Sequence, residues 1–185
     1  VERGARQRDP FKNVIYSYPL SAALTDGFVK EPAVATRENF DAQNYDDGLE
    51  KLKLEDGVRI HEETKVQLEV HARQNGAKLV KPFMLVVAQT TEHANAIVKT
   101  VESDDFFDGR YQGRVITVHS AQTGEEKDET VQQLLTVEDP ANPTEIVVHV
   151  NMLKEGWDVT NLYTIVPLRA ANSKTLVEQS IGRGL

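Results

Sequence analysis

Four apolar runs set the rhythm of the second half of the chain: PFMLVVAQ at 82–89, RVITVHS at 114–120, TEIVVHV at 144–150 and LYTIVPL at 162–168. Val, Ile and Leu follow one another in them with little alternation, as in strands buried on both faces of a parallel sheet. Between the runs the apolar spacing turns helical, over about Thr91–Glu102, Glu125–Val137 and Ser173–Ile181. Strand and helix in alternation predict an α/β fold, a parallel sheet flanked by helices on both faces.

The first half is less regular. Residues 1–13 are polar and Arg-rich and read as irregular. NVIYSY (13–18) alternates as a strand does, PLSAALTDGFV reads as a short helix stopped by Gly27, and Lys30–Thr36 is extended around Pro32. Arg37–Asp56 is dense in charge and poor in period, so it reads as a loop with one helical turn. Val58–Gln74 is the clearest helix, with an apolar stripe of Ile60, Val66, Leu68, Val70 and Ala72 and a stop at Gly76. No repeat or low-complexity tract occurs.

Composition narrows the class. With 185 residues, 39% hydrophobic and 27% charged, the chain suits one ordinary domain with extra material, or two small ones. No apolar run approaches the roughly 20 residues of a membrane span, and VERGARQRDP lacks the apolar core of a signal peptide. The absence of Cys excludes disulfides, thiolate chemistry and cysteine-bound zinc, and it fits a bacterial cytoplasmic setting. A net charge of −8 argues against a protein that coats nucleic acid. From Asn151 onward, however, Lys154, Arg169, Lys174 and Arg183 outnumber Glu155, Asp158 and Glu178 by one, leaving −9 on the preceding residues. The chain lacks an initiating Met and stops just after GRGL, so a piece of a longer polypeptide is expected.

The densest chemistry lies between Glu145 and Leu185. A strand leads into Lys154-Glu155-Gly156-Trp157-Asp158, a second strand follows, and a helix ends in Gln179-Ser180-Ile181-Gly182-Arg183-Gly184. In this order and spacing they resemble motifs V and VI of superfamily 2 helicases and translocases. MLKEGWDV followed by LVEQSIGRGL is similar to the Res subunits of type III restriction enzymes. Upstream, IYSYPLSAALTDGFVKEP resembles the connector that leaves the first RecA-like domain of such motors. The resemblance implies that residues 1–80 are a partly irregular connector and 81–185 a second RecA-like domain, truncated at its C-terminus.

That resemblance gives several residues a role beside a plainer one. Arg183, between two glycines at a helix end, corresponds to an arginine finger; such a guanidinium is worth about 10³–10⁵ in phosphoryl-transfer rate. Its plainer role is to offset the dipole of its own helix. Gln179, four residues earlier, shares its face and is the other catalytic candidate, or a surface amide. Gly156, Asp158 and Gly182 are the implied nucleotide contacts, although Asp158 suits a self-capped turn equally. Trp157, the single Trp, suits a structural wedge. Gln89, Thr90 and Thr91 stand where motif IV lies, at a strand end opening a helix, where amides suit a DNA phosphate; a Thr N-cap explains them as well. His119 and Ser120 hold the matching place after the next strand, and Lys154 flanks the motif V turn; all three are candidate DNA contacts.

Other chemistries are set aside. The five histidines (61, 71, 93, 119 and 149) contain no i,i+4 pair and no metal-ligand spacing, so no metal site is expected. There is no G-x-S-x-G elbow. Glu63-Thr64-Lys65 and Glu125-Glu126-Lys127 match a nuclease acid-x-Lys by letter but fall in helical stretches. No G-x-x-x-x-G-K-[ST] loop or acidic Walker B strand is present, so ATP and Mg²⁺ would be held mainly by a first RecA-like domain and this chain alone would not hydrolyse ATP. The implied whole is an ATP-dependent DNA translocase of a restriction–modification enzyme. Its implied partners are double-stranded DNA, a nuclease domain in the same polypeptide and a methyltransferase subunit. The alternatives are a type I restriction motor, another superfamily 2 remodeller, a catalytically silent α/β scaffold and a flavodoxin-like binder.

Overall fold

The computed structural model describes residues 19–27, 33–38, 48–119, 130, 132–150 and 159–168. The chain divides into two compact units, one of residues 1–33 with Leu185 and one of 34–184. In the first, helix α1 (Leu20–Thr25) ends as expected: Thr25 Oγ1 donates to the Ser21 carbonyl at 2.9 Å, and Gly27 follows with φ +74°. Residues 33–37 form neither helix nor strand.

The second unit is built on a four-stranded sheet of order β2-β3-β1-β4, with β1 at Phe83–Val87, β2 at Val115–His119, β3 at Ile146–Val150 and β4 at Leu162–Pro167. Every pairing is parallel: Met84 lies opposite Ile146 and Thr164, and Val115 opposite Ile146. All five residues of β1 and of β3 are buried, which is what their unbroken apolar runs require. The fold is therefore α/β with an all-parallel sheet, consistent with a RecA-like domain.

The two sheet faces carry separate cores. Met84, Val86, Ile146, Val148 and Val166 face Leu54 and Val58 of α2 (Leu49–Asn75) and Ala94, Ile97 and Val101 of α3 (Thr91–Val101). Phe83, Leu85, Val147 and Leu162 face Leu134 and Val137, in and just after the helical turn at 132–135. The helix expected at Ser173–Ile181 and the strand at 13–18 lie outside the described residues.

Helix α2 departs from expectation twice. It begins at Leu49 and runs for 27 residues, so the charged stretch read as a loop is helical from there on. The anticipated stripe is also misplaced: Val66 is 59% exposed, Val70 44% and Ile60 39%. The buried positions are Leu54, Gly57, Val58, His61 and Ala72. Those at 54, 57, 58 and 61 carry true i, i+3, i+4, i+7 spacing, disguised because a Gly and a His belong to it. Gly57 lets the helix sit close to the sheet; a Cβ there would stand 2.3 Å from Val166 Cγ2. The helix stops at Gly76 (φ +60°), with Ala77 N–H donating to the Ala72 carbonyl at 3.0 Å.

Candidate functional site

Parallel strands all finish at one edge of the sheet, here at Val87, His119, Val150 and Pro167, and open α/β sheets bind ligands beyond that edge. Gln89 and Thr90, just after β1, are exposed at that edge and Thr91 is half-buried. His119 ends β2, paired with Val150. The strand order sets it two strands away from β1, with β3 between. Ser120, Lys154, Gly156, Asp158, Gln179, Gly182 and Arg183 lie outside the described residues.

The turn from β1 into α3 is closed by its own side chains. Thr90 is the N-cap, extended at φ −136° and ψ 172°, and its Oγ1 accepts from the His93 amide at 3.2 Å. Ala94 N–H donates to the Thr90 carbonyl at 2.9 Å. Gln89 N–H donates to His93 Nδ1 at 3.1 Å. His93 Nε2 lies 3.0 Å from Glu50 Oε1 at the start of α2. The exposed Glu92 carboxylate accepts from its own backbone N–H and from the Thr90 hydroxyl, which hold its pKa below the ordinary value. Thr90 thus acts as an N-cap without any ligand. Glu50 and Glu92 bring negative charge to the place where a phosphate would lie.

Sequence reasoning named Gln89, Thr90 and Thr91 at this turn but gave His93 and Glu50 no part in it. Nothing in their spacing could have revealed it, since 43 positions separate them in the chain.

A second polar cluster, also unforeseen, occupies the opposite edge, where the strands begin. Glu145, one residue before β3, is 6% exposed. Its Oε2 accepts from Lys65 Nζ of α2 at 2.8 Å and its Oε1 from Arg114, one residue before β2. Lys65 also donates to Glu62 at 3.0 Å, Tyr111 donates to Glu62 at 2.7 Å, and Arg110 reaches Glu62 at 2.8 Å. Burial alone would raise both carboxyls, but these donors and charges hold Glu145 and Glu62 below the ordinary carboxylate value. Burial, reinforced by the bond to Glu62, pushes the Tyr111 hydroxyl well up. His61 sits beneath, fully buried, its pKa lowered to about 4 by burial and then by the Lys65 charge. The sequence signal for this cluster was a charged residue, Glu145, beginning an otherwise apolar run. Among the described residues no helix is long and apolar enough to cross a membrane.

Over an alignment of 109 residues the chain is 30% identical to the type III restriction-modification enzyme EcoP15I Res subunit of Escherichia coli. The alignment takes in 50% of this chain and 11% of that protein, so the chain spans about a tenth of its relative's length. No protein-family model matches the chain, and no solved structure matches it significantly. The chain is thus related to a Res subunit over half its length.

Proposed function

We propose that the chain is the second RecA-like half of an ATP-dependent DNA translocase of a type III restriction enzyme. The observation that carries this reading is the identity to a Res subunit, in a chain whose apolar runs build an all-parallel sheet. Residues 81–185 are the motor domain and residues 1–80 lead into it. ATP and Mg²⁺ are held by the first RecA-like domain, because this sequence has no phosphate loop. When bound, the nucleotide supplies the γ-phosphoryl group and the energy of its hydrolysis. Arg183 projects to that nucleotide as an arginine finger, with Gln179 beside it and Gly156, Asp158 and Gly182 completing the wall. Gln89, Thr90, Thr91, His119, Ser120 and Lys154 grip the DNA backbone, alternating with the grip of the other domain as the cleft closes and opens. Cleavage falls to a nuclease domain of the same polypeptide, and a methyltransferase subunit is the expected partner.

A second reading, a catalytically silent scaffold, is favoured by one observation: the α3 N-terminus is capped by Thr90 and His93 and flanked by Glu50 and Glu92. Trp157 separates the two. In the intact protein, titration with a non-hydrolysable ATP analogue changes a component of the fluorescence that is missing from Trp157→Phe. A Trp157 component that stays unchanged throughout the titration favours the scaffold.

A further inference from the structure

We propose that His61, Glu62 and Glu145 form a site for a divalent cation of the Zn²⁺ or Mn²⁺ class, guarded by Lys65. Three observations converge on it. His61 is fully buried, and neither ring nitrogen has a hydrogen-bond partner. Buried polar groups in native proteins are nearly always satisfied, so two orphaned nitrogens on one ring call for a ligand or an ordered water. One ligand atom from each of His61, Glu62 and Glu145 lies within 4.8 Å of the other two. One imidazole nitrogen with two carboxylate oxygens is a donor set suited to Zn²⁺ and its neighbours, and unlike the all-oxygen sets of Ca²⁺ and Mg²⁺. Metal bonds of about 2.0–2.2 Å hold tetrahedral ligand atoms roughly 3.5 Å apart, so the trio closes by about an ångström on binding.

The place already has an occupant. Lys65 Nζ bridges Glu62 Oε1 and Glu145 Oε2 at 3.0 and 2.8 Å, a monovalent cation between two carboxylates. Its side chain is 29% exposed, so the ammonium has a path into water. Arg110 and Arg114 hold the other oxygens, Glu62 Oε2 and Glu145 Oε1, and fix the carboxylates as outer partners fix the ligands of a metal. Binding is therefore an exchange: the metal enters, Lys65 turns out, and no covalent bond changes. The chain hides such a site because 83 positions separate Glu62 from Glu145, and no local spacing records their meeting.

The test uses the intact protein, stripped with chelator and titrated calorimetrically with Zn²⁺ alone, then with Co²⁺ to read ligand-field absorption. The expected result is one site, lost in His61→Ala and strengthened about tenfold or more in Lys65→Met, since a competing charge a few ångströms away is removed. Binding that survives His61→Ala marks an adventitious ion only and overturns the proposal. So does a Lys65→Met variant that binds no more tightly than the parent. Where circular dichroism shows His61→Ala unfolded, the Lys65→Met comparison decides by itself. Because the site lies at the edge where strands begin, either outcome leaves the motor reading unchanged.

Discussion

Glu145 shows how much one residue can hold. Its carboxylate joins α2 through Lys65 to the start of β2 through Arg114, and it stands at the mouth of β3. Glu145→Gln leaves two cations short of a counter-charge. Losing one partner of a buried pair costs about 3–5 kcal/mol; here about 2–3 is expected, because Lys65 and Arg114 can turn to water. The urea midpoint measures this, and a loss near zero would show that the cluster does not bind the layers together. His61 gives a pH signature in chelator-treated protein. The unfolded chain takes up its proton near the ordinary value of 6.5, whereas the folded one resists down to about 4. The contribution is therefore whole above pH 6.5 and falls as pH drops towards 4, by up to about 3 kcal/mol. Glu62 and Glu145, both lowered, extend the loss below pH 4.5. Stability that stays flat between pH 6.5 and 4.5 would contradict the burial of a neutral imidazole.

At the scale of elements, α2 tests the packing account most sharply. Gly57→Ala should gain up to about 1 kcal/mol of helix propensity. The new Cβ, however, meets Val166 Cγ2 at 2.3 Å and Met84 Sδ at 3.3 Å. Overpacking costs about 1–3 kcal/mol, so net destabilisation is expected in thermal unfolding, and a stabilised variant would show that α2 does not lie so close. At α3, Thr90→Ala should cost about 1 kcal/mol through its lost cap. If Thr90 also holds DNA, the variant weakens DNA binding at temperatures where it remains folded; unchanged affinity there limits it to capping. These two helices also show what could be read beforehand. Helix α3 was plain, because its Thr cap and its apolar positions 94, 97, 98 and 101 follow the rules. The start of α2 was hidden by Glu50, Lys51, Lys53, Glu55 and Asp56, which mimic a loop. Its stripe was hidden because Gly57 and His61 occupy core positions while Val66 and Val70 face outward.

Taken whole, the molecule divides its labour between the two ends of its strands. Where they begin, ion pairs to the buried Glu145 fasten α2 to the sheet; where β1 finishes, the turn into α3 is capped by Thr90. The parallel sheet was readable because strands buried on both faces leave continuous apolar runs, and β1 and β3 are buried throughout. The proposed motor motifs rest instead on residue types at short spacings, Gly156-Trp157-Asp158 and Gly182-Arg183-Gly184, which lie outside the described residues. Sites assembled across long separations, Glu50 with His93 and Glu62 with Glu145, left no such trace. The central claim is that Arg183 completes a nucleotide pocket walled mainly by another domain. DNA-stimulated ATP turnover of Arg183→Ala in the intact protein tests it most directly. A fall of about 10³-fold or more, with nucleotide affinity retained, is the predicted result. Turnover equal to that of the parent protein would contradict it.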